Sequence, residues 1–323
     1  MVFDIKIGNY KLQLLDSVEV HKSVDLLTDT ATITLPGTAY NQALKIEDKI
    51  KRGDRVVVKL GYDEVAEKPE FDGWLQAIST DGGNITLTCE DDIFHTRVAL
   101  DNKVFQNVNV KALAEYIVQS TGLKDVVCDY DFRYDKFIIE SATGFDVLKK
   151  IQEETGANIY MKDDVLHIHA PYIEIFGRVK YDFARNIESA DLEYKNAEDR
   201  KYQVEVEGIG TDGKRITTVV GTMGGDKRSI KIYGVTEISE LKKRGEAELK
   251  YLVYTGYEGN IQGWLIPYVE PGYSAHLRDT DYEYKDGWYY VNAVTTTFSK
   301  SGGVRKVELG YKLSANGESS TTS

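Results

Sequence analysis

One pattern occurs twice in this chain, once near each end. The run Asp286-Gly287-Trp288-Tyr289-Tyr290-Val291-Asn292-Ala293-Val294-Thr295-Thr296-Thr297-Phe298 is followed by Gly302-Gly303 and Val304-Arg305-Lys306-Val307-Glu308-Leu309. β-Branched and aromatic residues fill both runs, with a Ser-Gly-Gly turn between them, which is the composition of a β-hairpin. The N-terminal counterpart is Asp72-Gly73-Trp74-Leu75-Gln76-Ala77-Ile78-Ser79-Thr80, then Gly82-Gly83, then Asn84-Ile85-Thr86-Leu87-Thr88-Cys89. A glycine opens a strand upstream of each copy: Gly53 before Arg55-Val56-Val57-Val58, and Gly272 before Tyr273-Ser274-Ala275-His276-Leu277. The shared order, Gly53, Gly73, Trp74, Gly83 against Gly272, Gly287, Trp288, Gly303, predicts a duplicated β-domain with something different between the copies. Each Trp is expected to be mostly buried at the start of its hairpin.

The chain has 323 residues, more than one core usually serves, so two or three domains are expected. Hydrophobic content of 41% and charged content of 28% suit a globular protein and argue against long disorder. No stretch approaches the apolar length that spans a bilayer, and the start, Met1-Val2-Phe3-Asp4-Ile5-Lys6, lacks a basic region followed by an apolar core. Neither a membrane partner nor a secretory signal is expected. Cys89 and Cys128 set no disulfide framework and no zinc spacing, and read as small buried residues made in a reducing cytoplasm. The net charge of −12 argues against a protein that grips DNA, which needs Lys and Arg in excess to displace phosphate counterions. It serves solubility, or a surface that nucleic acid passes without sticking.

Taken in order, residues 5–35 read as a β meander, with Ala31, Ile33 and Leu35 alternating with Thr30, Thr32 and Thr34 until Pro36-Gly37. Val110, Leu113, Ala114 and Ile117 change the period to that of a helix, closed by Gly122. Thr143 with Asp146 predicts a capping box opening a second helix that Gly156 ends. Two short strands follow around an Asp163-Asp164 turn, and Pro171 marks a boundary. Strands return at Tyr202, Val204 and Val206. A third helix is predicted from about Ser239 to Tyr254, with Gly256 as its stop. Gly245 inside it weakens the helix by roughly 1 kcal/mol relative to Ala, and close approach to a sheet would explain it. The tail, 314–323, is expected to be disordered.

Little catalytic chemistry is visible. His167 and His169 share a strand face, but no third His or Cys is near in sequence, and a solvated strand face is favoured over a metal. The acidic pairs Asp91-Asp92, Glu153-Glu154 and Asp163-Asp164 are no more than 52 Asp and Glu produce by chance. There is no Gly-x-Ser-x-Gly elbow, and Gly208-Ile209-Gly210-Thr211-Asp212-Gly213 opens no helix. No catalytic residue, cofactor or metal is expected. Many of the 22 Tyr fall between Tyr251 and Tyr290, among them Tyr257, Tyr268 and Tyr273, with Trp264 close by. An interface and plain strand propensity explain them equally well, ahead of a carbohydrate platform.

In the C-terminal third, Glu246-Ala247-Glu248-Leu249-Lys250 on a helix leads to Gly263-Trp264-Leu265, Val269-Glu270-Pro271-Gly272, Asp286 to Val291 and Val294-Thr295-Thr296-Thr297-Phe298. This order resembles the phage late-control-D family, baseplate hub proteins of contractile tails and related injection machines. Thr296 stands where that family usually has His. The segments 110–123 and 145–160 are similar to its central insert. The resemblance implies a mainly β fold with an α+β insert: tail-tube-like β-barrel domains at 1–100 and 175–313, the latter with a helix at about 239–255, flanking a small α/β domain at 101–174. It implies a structural virion component and not an enzyme. Three chains would form a pseudo-six-fold ring that adapts a six-fold tail tube to a three-fold spike. The implied partners are a homotrimer, the tail spike, the tail tube and other baseplate proteins, with no sequence-specific nucleic acid binding and no membrane. Three chains at −12 each carry −36, a sign that would repel passing DNA. The competing readings are a tail-associated cell-wall hydrolase and a carbohydrate-binding module.

Overall fold

The computed structural model of the chain describes residues 2–36, 49–64, 68–81, 83–162 and 164–318. Gly37, Gly82, Asp163 and the last five residues of the expected tail lie outside them. The chain is mainly β, with several sheets and, among the described residues, three α-helices. One sheet of thirteen strands runs through both ends of the sequence.

Six N-terminal strands are Val2–Ile7, Ser17–Ser23, Thr30–Leu35, Arg55–Gly61, Phe71–Asp81 and Asn84–Glu90. They lie side by side in the order first, fourth, fifth, sixth, third, second. Six C-terminal strands, Gly177–Asp182, Ser189–Lys195, Gly256–Gly263, Tyr273–Arg278, Gly287–Ser299 and Gly302–Lys312, take that same order. Each hairpin carries a bulge just after its Trp, between Leu75 and Ala77 in one and between Tyr289 and Val291 in the other. One pairing differs: the first and fourth strands are antiparallel in the N-terminal set and parallel in the C-terminal set.

Neither set closes into a barrel among the described residues, contrary to the expectation of two barrels. Closure of the N-terminal set would require Ser17–Ser23 to pair with Val2–Ile7. Instead Ser17–Ser23 pairs antiparallel with Gly287–Ser299, from Ser17 opposite Ser299 to Ser23 opposite Ala293. The thirteen-residue strand Gly287–Ser299 is long enough to hold two neighbours along one edge. Its first residues pair with Tyr273–Arg278 and its later ones with Ser17–Ser23, and the bulges lie at the change of partner. A bulge bends a strand and increases its local twist, which is what a change of neighbour demands.

Between the two sets sit α1 (Val110–Thr121), α2 (Gly144–Thr155), the antiparallel pair Lys103–Asn109 with Arg133–Ile139, and a three-stranded sheet of Asp125–Cys128, Asn158–Lys162 and Val165–His169. The helix ends follow from local chemistry. Asn109 caps α1 through its side chain, and Gly122 takes the left-handed conformation that closes it. Thr143 and Asp146 form both bonds of the capping box on α2, which Gly156 closes.

The third helix, α3, spans Ile238–Leu252 and ends at Val253; Gly256 already begins the next strand. It lies on a separate three-stranded sheet of Tyr202–Ile209, Arg215–Gly221 and Asp226–Tyr233. Leu241 of α3, Val204, Val206 and Ile232 share one apolar core with Leu113, Ile117, Leu148 and Ile151 of the first two helices.

Gly245 is where α3 meets that sheet. A Cβ there would stand 2.9 Å from Val220 Cγ2 and 3.1 Å from Val206 Cγ2. Gly245→Ala gains about 1 kcal/mol of helix propensity but overfills a packed contact, which costs roughly 1–3 kcal/mol. Urea unfolding should therefore show the Ala variant less stable than wild type by about 1 kcal/mol, and Gly245→Leu less stable still. A stabilised Ala variant would mean that the helix and sheet can separate freely.

Candidate functional site at the seam between the two strand sets

Among the described residues the most heavily buried charged side chain is that of Arg305, 1% exposed. Val307 and Leu309 set the inward phase of its strand, and two-residue periodicity carries Arg305 to the same face. Its guanidinium pairs with Glu70 of the N-terminal set, itself 5% exposed. It also donates to the carbonyls of Leu265 and Pro267, the latter at 2.7 Å, and to Thr296 Oγ1 at 3.3 Å. All five donors of a guanidinium face a dry interior here, so each acceptor has a stability consequence. Across the same seam, Leu265 N donates to Tyr62 Oη at 2.8 Å, and Phe3 meets Phe298 edge to face at 6.4 Å.

Glu270 forms a second tie. Lys22 Nζ reaches one carboxylate oxygen at 3.0 Å and Lys68 Nζ the other at 2.6 Å. Burial pushes the Glu270 carboxyl up, but Lys22, Lys68 and the Tyr268 hydroxyl outweigh it and hold it at about 2. Beside it opens a cavity of about 460 Å³, lined by residues of all three parts of the chain, including Asp29, Asp91, Tyr160, Phe176 and Tyr273. Asp91 accepts from Thr28 Oγ1 at 2.9 Å, Asp29 N at 3.0 Å and Ile93 N at 3.1 Å, and Asp29 accepts from Ser23 N at 3.1 Å. Burial raises both carboxyls, and the neighbouring Asp29 charge raises Asp91 further.

The residues singled out from the sequence take up different places. Gly53 and Gly272 both have positive φ, at 89° and 78°, ahead of their strands. In the turns, Gly83 has φ 96°, but in the second hairpin that role falls to Gly302 (φ 131°), with Gly303 already paired in the strand. A Cβ on Gly73 would stand 2.2 Å from the Glu90 carbonyl oxygen, whereas one on Gly287 would meet only the movable end of Lys312. Trp74 and Trp288 are both partly buried. Trp74 Nε1 donates to Asp92 at 2.8 Å, and Trp288 packs on His276 and under Gly317. An indole N–H needs an acceptor, which keeps Trp74 near the polar margin while Leu75 enters the core.

Of the aromatic candidates, Tyr257 is buried with its hydroxyl on Asp279 at 2.9 Å. Tyr268 serves Glu270, and Tyr273 lines the cavity. Trp264, 47% exposed, stands on the surface beside Ile266, 67% exposed. Sequence reasoning missed Arg305, Glu70, Lys22 and Lys68. Arg305 alone left a signal, a charge on the apolar phase of a strand.

The fold is shared by phage tail and type VI secretion proteins of known structure. The 43 kDa tail protein of prophage MuSo2 from Shewanella oneidensis matches with a TM-score of 0.67 and 16% identity, over 96% of this chain and 98% of that one. A tail protein from Neisseria meningitidis gives 0.64 and 15%, over 96% of both chains. An E. coli protein described as a component of the type VI secretion system gives 0.58 and 10%, over 96% of this chain and 77% of that one. No curated protein matches the sequence. The chain belongs to the family described as the Alg8 N-terminal domain, whose profile matches residues 8–222.

Two outcomes test the seam. Arg305→Met or Glu70→Gln should each destabilise by about 3–5 kcal/mol, because the partner is left charged and buried. The pair changed together, Arg305→Met with Glu70→Leu, should cost clearly less than the two single losses added, as read from a double-mutant cycle in urea. The second outcome concerns the acid pair. The folded pKa of Asp29 lies above its unfolded value, so folding favours the protonated form. That contribution is whole below about pH 4 and is lost as pH rises through the folded pKa toward neutrality. Asp29→Asn should therefore melt near wild type at pH 4 and above wild type at pH 8; equal melting temperatures at both would remove the buried-acid account.

Proposed function

We propose that this chain is a structural hub of a contractile phage tail baseplate or a related injection particle, as its resemblance to the late-control-D family implies. The observation that carries the reading is the repeated strand order: two six-strand sets with one spatial order, joined edge to edge in a single sheet. Each set, within 1–100 and 175–313, is one tube-like unit, and 101–174 is the insert between them. Three chains then present six such units, which suits a ring that meets a six-fold tube on one side and a three-fold spike on the other. The protein works by assembly rather than catalysis and resides in the virion baseplate. The fold likeness to tail proteins and to a secretion component supports this reading. Trp264 and Ile266 are the apolar side chains that a neighbouring chain or partner would cover.

Light scattering of the protein mixed with its cognate spike and tube proteins tests the proposal. A hub of three chains should form, and raised salt should favour it by screening like-charged subunits over about 10 Å at 0.1 M. Trp264→Glu with Ile266→Lys should weaken assembly without lowering the melting temperature of the single chain. Binding to neither partner at low and high salt would overturn the reading. Cell-wall turnover or glycan binding by the purified chain would then put the hydrolase or the carbohydrate module first.

A further inference from the structure

We infer that Asp129, His169 and Glu174 form a binding site for a divalent transition-metal ion such as Zn²⁺. Two stretches 40 positions apart bring these residues together, one carrying Asp129 and the other His169 and Glu174. His169 ends the strand Val165–His169, Asp129 follows the parallel neighbour Asp125–Cys128, and Glu174 lies on the connection to Gly177–Asp182. One donor atom from each lies within 4.8 Å of the other two. His169 is 6% exposed, while Asp129 faces solvent and Glu174 is half-buried, so an ion can enter from outside and meet a fixed imidazole.

Two of the donors, His169 Nδ1 and Asp129 Oδ1, stand 2.9 Å apart. With metal–ligand bonds of about 2.0–2.2 Å, such a pair subtends roughly 90° at an ion. The full spread is wider than the roughly 3.4 Å between tetrahedral ligands. The two carboxylates sit on flexible stems that can close it.

The other ring nitrogen of His169, Nε2, lies 3.4 Å from His167 Nδ1. An ion on Nδ1 leaves the proton on Nε2, directed at His167, the outer partner that a metal-bound imidazole normally has. Tyr160 stacks on His167 at 4.9 Å and 6° and lies over His169 at 5.8 Å, which holds both rings in orientation. One imidazole with two carboxylates suits Zn²⁺, Mn²⁺ or Ni²⁺ rather than Mg²⁺ or Ca²⁺, which take oxygen alone. The bound ion would fasten the 170–176 connection to the central sheet, and so set how the insert meets the C-terminal strands.

The test is calorimetry and thermal melting of the full, untagged, chelator-treated chain with Zn²⁺. One ion per chain is expected, with a rise in melting temperature of about 2 °C or more at 100-fold excess over Kd. Asp129→Asn alters an exposed side chain and Glu174→Gln a half-buried one of the same size, so their metal-free melts should lie close to wild type while their Zn²⁺ affinity falls at least tenfold. His169→Ala should abolish binding; because His169 is buried this variant can fail to fold, and the two carboxylate variants carry the decision. His276→Ala, at a histidine outside the cluster, should bind as wild type does. No heat of binding at about 0.1 mM Zn²⁺, or undiminished binding in both carboxylate variants, would overturn the site.

Discussion

The seam depends on one buried charge. A guanidinium is a permanent charge, and that of Arg305 has almost no water. Its burial is tolerable only because Glu70, two backbone carbonyls and a hydroxyl surround it. Those acceptors come from three places: the segment before Phe71–Asp81, the 265–267 connection and the strand Gly287–Ser299 itself. Holding the guanidinium therefore fixes the position of all three relative to one another. The ladder between Ser17–Ser23 and Gly287–Ser299 adds register to that position. Replacing such a group by an apolar one need not cost stability in general, so its value here lies in specifying one arrangement of the two strand sets.

The open sheet follows from the same joint. A free strand edge is a row of unpaired donors and acceptors and must be paired, covered or blunted. The inner edge of the N-terminal set is paired by the C-terminal set, which removes the need for closure. The outer edges of the sheet are managed differently. Tyr10–Lys11 is only two residues long, and Ser189–Lys195 carries Asp191, Glu193 and Lys195. Short length and charge both discourage an unplanned partner strand.

What the sequence showed clearly was local. Gly122, Gly156 and the Thr143–Asp146 box act within one helical turn, and their chemistry is complete in a few adjacent residues. The close approach at Gly245 was legible because glycine inside an amphipathic helix asks for a reason. Pairings across the fold were not legible. Glu70 and Arg305 are 235 positions apart, and nothing in either neighbourhood names the other. Barrel closure failed as an expectation for the same reason: strand periodicity gives the face that is buried, not the neighbour on each edge. The two Trp residues were placed at the starts of their hairpins, but the acceptor of the Trp74 indole, Asp92, lies 18 positions away and nothing in the sequence named it. Beside His169 only His167 stood out: Asp129 lies 40 positions away, and Glu174, though near, is one of 52 Asp and Glu.

The seam and the cavity are electrically one system, joined through Lys22. Its ammonium pairs with Glu270, and its charge also acts on Asp29, lowering a carboxyl that burial and Glu270 raise. Glu270, with two lysines and a tyrosine hydroxyl, stays ionised far into acid. Asp29 and Asp91, with backbone donors and one hydroxyl but no direct cation, do not. Two populations of carboxylate thus share one wall, one held charged and one held back from charging. In a chain of net charge −12 this division matters. If both acids ionised beside Glu270, three negative groups would face one another across the space where the N-terminal strands, the insert and the C-terminal strands meet. The raised pKa values of Asp29 and Asp91 keep part of that charge off the wall, and Lys22 is the residue whose position lets the ion pair at the seam and the acids at the cavity coexist.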